Sequence, residues 1–182
     1  AVYRLFENLD IQKKDHFNRD LYSSFKLSSE KLIINYCNKY NINYHIFRIF
    51  NTYGNKNDNF SFIEKILRLK KNKEKINLIN NGNSIRDFVH VKDIANIYKL
   101  FIAKKYRNGV YDLGTGEGYL IKDIIDFSNF PKKNIIKINN VNEFHNSIAQ
   151  NQKLIKELTN YKFLNLGIYL KKRLKINKKI IK

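Results

Sequence analysis

The chain has 182 residues, of which 43% are hydrophobic and 14% aromatic, so it is long and apolar enough to fold around its own core. Its formal net charge is +19, from 35 Lys and Arg residues and 16 Asp and Glu residues. Because only seven of the basic residues are Arg and the lysines are spread along the whole chain, we expect a compositional bias and no nucleic-acid-binding face.

Cysteine content and hydropathy exclude several other classes of protein. The single cysteine, Cys37, allows no internal disulfide and no thiolate metal site, and its helical context predicts a buried structural thiol. No apolar run reaches the roughly 18 residues of a membrane-spanning helix. The first residues, AVYRLFENLD, lack the pattern of a signal peptide. We therefore expect a cytoplasmic protein with no membrane span and no metal site.

The hydrophobic pattern predicts helices that alternate with short strands. After a loop over 1–19, the first half predicts a helix over 20–40, a strand over 44–50, a loop over 51–59, a helix over 60–72, a strand over 75–79, a turn over 80–84 and a strand over 85–91. The second half predicts a helix over 92–106, a strand over 109–114, a helix over 120–127, a strand over 134–139, and helices over 151–158 and 164–176.

This alternation predicts an α/β fold in which the strands 44–50 and 109–113 pair in parallel. A complete dinucleotide-binding fold carries a glycine-rich G-x-G-x-x-G turn after its first strand, and no such unit precedes the first predicted helix. The glycines at 114–118 (GTGEG) follow a late strand, so we interpret them as a tight strand-to-helix turn that lines a substrate cleft.

Tyr22 and Lys26 stand four residues apart in the predicted first helix, so their side chains share one face of it. A phenol has a reference pKa of about 10, and a cation beside it favours the phenolate. Such a phenolate can take the proton of a sugar hydroxyl while hydride leaves the carbon. The alternative is an ordinary surface pair, because this spacing arises readily by chance in a chain with 12 tyrosines.

The order of motifs around this pair resembles the C-terminal portion of the NAD-dependent epimerase/dehydratase family, the extended short-chain dehydrogenase/reductases. The motifs are AVY at 1–3, YSSFKLSSEKL at 22–32, FRIFNTYG at 47–54, RDFVHVKD at 86–93 and GVYDLGTG at 109–116. The resemblance extends from residue 1 to about residue 175.

The resemblance implies a role for each matching residue. Tyr22 is expected to be the general acid/base, and Lys26 to hold the nicotinamide ribose and tune Tyr22. Phe50 matches a position beside the nicotinamide, and Asn51 matches an amide that contacts the substrate. Arg86 matches a residue that binds the diphosphate of the substrate, a task suited to a guanidinium group.

The resemblance also implies the architecture: the C-terminal half of a Rossmann-like parallel sheet plus a small substrate-binding lobe. Residues 1–54 are expected to supply the catalytic helix and its following strand, and residues 55–182 the remainder with the lobe. The nucleotide-binding half, which holds most of the NAD or NADP, and the family's catalytic Ser/Thr are expected before Ala1. Family members often form homodimers through the helix that carries Tyr22, which implies the same here.

The function implied is that of a nucleotide-sugar epimerase, an isomerase, or a dehydratase, a lyase. We expect this chain to be inactive without the other half of the fold. A sugar-nucleotide reductase of the same family is the nearest alternative, and a non-catalytic binding or scaffold remnant is another.

Other polar residues in the motifs are expected to be structural. Arg48, Asp87 and His90 lie in predicted apolar strands, where a polar side chain is more often a satisfied core residue than a ligand. Asp93 begins a predicted helix, so we expect its carboxylate to meet the free backbone N–H groups there.

Overall fold

The computed structural model describes residues 17–58, 60–139 and 145–175, with side chains from residue 21 onward. The AVY motif at 1–3 and nearly all of the loop predicted over 1–19 lie outside the described residues. No helix in the described ranges is both long and apolar enough to cross a membrane.

The described chain combines helices with short strands, as predicted, but two strands stand between most successive helices. The helices are α1 (Phe17–Lys39), α2 (Phe62–Asn72), α3 (Val91–Ala103), α4 (Ile121–Phe127), α5 (Gln152–Glu157) and α6 (Leu166–Leu174). The strands are β1 (His45–Ile49), β2 (Asn51–Tyr53), β3 (Ile76–Ile79), β4 (Ile85–His90), β5 (Gly109–Leu113), β6 (Gly118–Leu120), β7 (Ile135–Ile138) and β8 (Asn146–Ser147). Single turns of 3-10 helix follow β3 and precede β7.

Most strand pairs are parallel, which is typical of α/β folds. Strands β1 and β5 pair in parallel, so the predicted pairing of these two segments is confirmed. Strand β4 pairs in parallel with β2 and β8 and antiparallel with β6, and β3 pairs in parallel with β7. Strands β2, β4, β6 and β8 therefore form one sheet, here called the second sheet, with β4 at its centre.

The prediction of a loop over residues 51–53 was wrong, because these residues form β2. Two- and three-residue strands such as β2, β6 and β8 are too short to show a hydrophobic period. They form because β4 offers backbone hydrogen bonds on both sides, a long-range effect that no local pattern reports.

Two hydrophobic clusters form the core, one on each side of β4. Phe88 belongs to the first cluster, together with Tyr53 and Tyr119, and Val89 belongs to the second, together with Leu113. Neighbouring residues of a strand point to opposite faces, so β4 alternates between the two clusters. The side chains of the polar residues of β4 therefore also lie on one face of the sheet or the other.

Helix α1 packs on the rest of the chain through a narrow, polar face. Ser23, Glu30 and Cys37, seven residues apart from one another, are buried, and the burial of Cys37 confirms the predicted structural thiol. Glu30 accepts hydrogen bonds from Arg48 on β1, with Arg48 Nη2 2.7 Å from Glu30 Oε2. Arg48 is therefore structural, as expected, because this ion pair fixes α1 on the sheet.

The apolar residues whose spacing predicted α1 lie on a different face, which is exposed. These residues are Leu21, Phe25, Leu32, Ile33 and Tyr36, with exposed fractions of 44 to 71%. The helical spacing therefore predicted the helix correctly, but within the described chain these side chains are not part of a core.

Candidate active site

Tyr22 and Lys26 lie next to each other on the exposed side of α1. The ammonium nitrogen Nζ of Lys26 is 5.7 Å from the centroid of the Tyr22 ring, within the range of a cation–π contact. Both side chains are exposed, Tyr22 by 53%. The structure thus brings Tyr22 and Lys26 together, and both side chains are exposed to solvent. Among the described residues, neither side chain is hydrogen-bonded to Asn51, the predicted substrate residue, whose amide bonds the Asp87 carbonyl instead.

Asn51 and Arg86 lie on one face of the second sheet. The register pairs Asn51 with Phe88, and Arg86 with Tyr119. Paired residues have their side chains on the same side of a sheet, as do residues two apart on one strand. The two predicted substrate residues therefore share a face with the aromatic rings of Phe88 and Tyr119.

A partly open pocket of about 180 Å³ lies beside these two aromatic rings. Its lining combines apolar walls with a few polar side chains, as ligand sites commonly do. The lining residues are Phe88, Thr115, Glu117, Tyr119, Lys162, Phe163, Leu164, Asn165 and Leu166. Glu117 and Lys162 place charges of opposite sign in the lining.

Tyr119 supplies a hydroxyl donor in this pocket. Its hydroxyl donates to Glu117 Oε2 at 3.2 Å. Burial, with the nearby Glu117 carboxylate, raises the pKa of Tyr119 to about 12. The phenol therefore stays protonated at neutral pH and acts as a donor, not as a base.

The far wall of the pocket is held by two buried side chains. Asp93 accepts hydrogen bonds from the Tyr161 hydroxyl and from the Leu164 amide, each at 2.9 Å, and the Tyr53 hydroxyl donates to the Leu164 carbonyl at 2.8 Å. Asp93 lies in the first turn of α3, but its carboxylate serves a distant segment. The predicted interaction with the helix start is therefore corrected, because both carboxylate oxygens of Asp93 accept hydrogen bonds from Tyr161 and Leu164, far along the chain.

His90 takes the capping role at the start of α3. Its Nδ1 accepts a hydrogen bond from the Lys92 amide at 3.0 Å, and burial lowers its pKa, so the ring is neutral at pH 7. The ring lies against Gly54, whose backbone has a φ of 106°, and a Cβ at this position would be 2.4 Å from His90 Nε2. A glycine is required here, since the turn after β2 passes directly over the ring.

Asp87 and Phe50 are both buried. Asp87 accepts hydrogen bonds from Thr115, Gly116 and Ala149, which agrees with the structural role expected of it. Phe50 is 7% exposed, and its amide donates to the Leu113 carbonyl where β1 ends. The placement of Phe50 beside a nicotinamide remains a prediction.

The pocket itself was only partly predictable from sequence. The GTGEG turn was expected to line a cleft, and Thr115 and Glu117 do line the pocket. The turn leads into strand β6, not directly into a helix as expected. Lys162 and Asn165 were missed, because they reach the pocket only through the long-range bonds of Asp93 and Tyr53.

The chain is similar in sequence to known proteins. A sequence model of the NAD dependent epimerase/dehydratase family matches residues 7–114. A dTDP-D-glucose 4,6-dehydratase of Dictyostelium discoideum is 28% identical over 94 residues, which are 52% of this chain and 22% of that protein.

Solved structures show the same fold. A dTDP-glucose 4,6-dehydratase from Bacillus anthracis, in complex with NAD, superposes with a TM-score of 0.72 at 20% identity, over 85% of this chain and 50% of that chain. A UDP-glucose 4-epimerase from Thermotoga maritima, with UDP-glucose, also gives a TM-score of 0.72, at 23% identity, over 85% of this chain and 52% of that chain.

These matches define both the family and the extent of the likeness. The chain spans about half the length of the solved structures that it matches, and the part of the fold that it shares is Rossmann-like. Because the family match covers more than half of the chain, this protein belongs to the NAD dependent epimerase/dehydratase family.

Proposed function

We propose that this chain contributes the catalytic pair and the substrate-binding lobe of an NAD(P)-dependent nucleotide-sugar epimerase or dehydratase. The observation that carries the proposal is the shared face of Asn51, Arg86, Phe88 and Tyr119 beside a pocket, in a chain of this family. Residues 1–54 then form the catalytic helix and its following strand, and residues 55–182 the remainder with the lobe.

Tyr22 is the proposed acid/base, and Lys26 supports it. Tyr22 takes the proton of a sugar hydroxyl, and the Lys26 ammonium lies beside its ring. A nicotinamide cofactor, when bound, accepts the hydride from the same carbon, so that the alcohol becomes a ketone. If the hydride returned to the carbonyl carbon, Tyr22 would return the proton to its oxygen and the product would be an epimer. In a dehydratase, the keto sugar would first lose water and the hydride would add to the resulting double bond, so that the ketone stays in the deoxy-keto product.

The donors on α1 suit a nicotinamide ribose. The Lys26 ammonium donates hydrogen bonds and the Tyr22 hydroxyl can donate or accept them, and both are exposed. Phe50, at the end of β1, is the proposed apolar neighbour of the nicotinamide. NAD is present in the matched Bacillus anthracis structure, which supports NAD(P) as the cofactor here.

Arg86 and Asn51 are the proposed substrate residues. A guanidinium group binds a diphosphate through paired hydrogen bonds, and an amide at the start of β2 can bind a sugar hydroxyl. The adjacent pocket, with the Phe88 and Tyr119 rings and the Glu117 carboxylate, offers a flat apolar surface and an acceptor for the nucleoside.

A homodimer through α1 is part of the same proposal. The exposed face of this helix carries large apolar side chains, including Phe25, 64% exposed, and Leu32, 71% exposed. Apolar side chains grouped on one face commonly mark an interface. Light scattering on the purified protein tests this point, and we expect twice the mass of one chain.

The function is tested by incubating the protein, expressed from its complete gene, with NAD and either UDP-glucose or dTDP-glucose. Chromatography and mass spectrometry then separate an epimer, which has the mass of the substrate, from a deoxy-keto product, which has lost one water. We expect one of these products. A protein that neither binds nor converts either nucleotide sugar would contradict the proposal.

A further inference from the structure

The buried carboxylate of Asp87 joins three parts of the chain. Its Oδ1 accepts hydrogen bonds from the Thr115 amide (3.0 Å) and hydroxyl (2.7 Å), and its Oδ2 from the amides of Gly116 (2.9 Å) and Ala149 (3.1 Å). Asp87 is 0% exposed. Bonds from N–H and O–H donors to a carboxylate are strong in such a setting, so β4, the turn after β5 and the segment after β8 are held at one point.

The main chain of the same residue holds Asn51. The amide nitrogen Nδ2 of Asn51 donates to the Asp87 carbonyl at 2.8 Å. This bond uses the nitrogen of the amide and sets its orientation, so the oxygen Oδ1 remains an acceptor for a substrate hydroxyl. Any movement of the backbone at Asp87 therefore changes the orientation of the Asn51 side chain.

The Asp87 carboxylate is closely packed against the backbone of Gly114. A Cβ added at Gly114 would lie 2.6 Å from Asp87 Oδ2 and 2.6 Å from the Ala149 Cβ. Arg86, the preceding residue, is held by strand pairing between Tyr119 on β6 and Ser147 on β8. The carboxylate and its close neighbours thus determine where the proposed substrate residues on either side of it are placed.

We propose that Asp87 is a positioning residue of the substrate site formed by Asn51 and Arg86, which orders Asn51 through its buried carboxylate without itself touching the substrate. This inference rests on the proposed function, since it assigns Asp87 to the site formed by those two residues. The proposed role goes beyond support of the fold, because Asp87 affects substrate binding through Asn51.

The substitution Asp87→Asn tests the proposal, because it keeps the size of the side chain but turns an NH₂ group toward N–H donors. Asp126→Asn, at an exposed position on α4, is the matched control. With UDP-glucose as the probe, we expect Asp87→Asn to raise the dissociation constant by at least about tenfold, and the control to leave it unchanged. Affinities are compared at a temperature at which circular dichroism shows each variant folded.

A double-mutant cycle with Asn51→Ala separates positioning from general destabilisation. If Asp87 acts through Asn51, the double variant binds no more than about threefold more weakly than Asn51→Ala alone. Losses that multiply, to about a hundredfold in the double variant, mean that Asp87 acts independently of Asn51 and overturn the inference.

A second measurement decides the question without ligand binding. The side-chain amide of Asn51 is followed by NMR in the wild type and in Thr115→Val, which removes the hydroxyl donor to Asp87 and the acceptor of the Glu117 amide but leaves the other three donors to Asp87 in place. We expect a shifted resonance and faster hydrogen exchange at Asn51 in this variant. If wild type binds neither UDP-glucose nor dTDP-glucose, the proposed function is wrong; unchanged Asn51 signals in Thr115→Val overturn the positioning role itself.

Discussion

The ammonium nitrogen of Lys26 lies 5.7 Å from the centre of the Tyr22 ring, one helical turn away on an exposed surface. A helix of regular geometry places residues i and i+4 in this relation. The contact therefore depends on α1 alone, and it can be tested without altering the rest of the fold.

The first prediction concerns Tyr22. In the protein expressed from its complete gene, Tyr22→Phe removes the hydroxyl that exchanges the proton, so we expect turnover to fall by about 10²- to 10⁴-fold. The affinities for NAD and for UDP-glucose should change little. Tyr36→Phe, which removes a hydroxyl from another exposed tyrosine of α1, is the control and should retain full turnover. A Tyr22→Phe enzyme with a normal rate would rule out the proposed acid/base.

The second prediction concerns Arg86. Arg86→Ala removes the guanidinium group proposed to bind the diphosphate, so the dissociation constant for UDP-glucose should rise by roughly 10- to 100-fold. Binding of NAD should be nearly unchanged. Isothermal titration calorimetry measures both, with Arg68→Ala, at an exposed position on α2, as the control. Equal losses for the two ligands would show that Arg86 supports the fold and not the substrate site.

The third prediction concerns the buried ion pair that holds α1 on β1. Glu30→Gln removes the carboxylate that pairs with the Arg48 guanidinium, whose side chain is 10% exposed. Breaking a buried ion pair on one side commonly costs about 3 kcal/mol, which we expect to find as a lower free energy of unfolding in urea.

The surface pair between Arg107 and Glu157 provides the control for this measurement. Its atoms are 3.9 Å apart, and the Arg107 side chain is 90% exposed. Arg107→Ala should cost no more than about 0.5 kcal/mol. Equal effects of the two substitutions would mean that α1 is not fixed by the Glu30–Arg48 pair.

The fourth prediction concerns pH and His90. Burial lowers the pKa of His90 below its usual 6.5, with Lys92 acting in the same direction and Asp93 and Glu64 opposing it. As the pH falls below about 6.5, the unfolded chain takes up a proton at this position and the folded chain does not. The stability that the neutral ring contributes is therefore present above pH 6.5 and is lost as the pH falls toward the lowered pKa.

Unfolding in urea between pH 7.5 and 5.5 checks this sign. Wild type should lose more stability over this range than His90→Asn, which keeps an acceptor for the Lys92 amide but does not titrate. The difference between wild type and His90→Asn in the loss of unfolding free energy should grow by at most about 1.4 kcal/mol per pH unit. His145→Asn, at an exposed position, should follow the wild type. A His90→Asn profile parallel to that of wild type would show that His90 is not the group responsible.

Much of the architecture was predictable because the information is local. The strand over 44–50 was predicted from a short, largely apolar run, and its parallel pairing with 109–113 from the alternation of strands and helices. Strand β2 was not predictable in this way, because Asn51, Thr52 and Tyr53 form a strand only by hydrogen bonding to β4. Asp93 was misassigned for the same reason, since its partners lie far along the chain.

The sequence by itself determined the helix that sets Lys26 beside Tyr22 and the order of motifs that identifies the family, because both depend on spacing along the chain. Only the tertiary structure decided which residues face one another across the second sheet: Asn51 and Arg86 share a side with Phe88 and Tyr119 through the register of β2, β4 and β6. Register is a property of paired strands and changes face with every single-residue shift, so one strand's own residues cannot specify it.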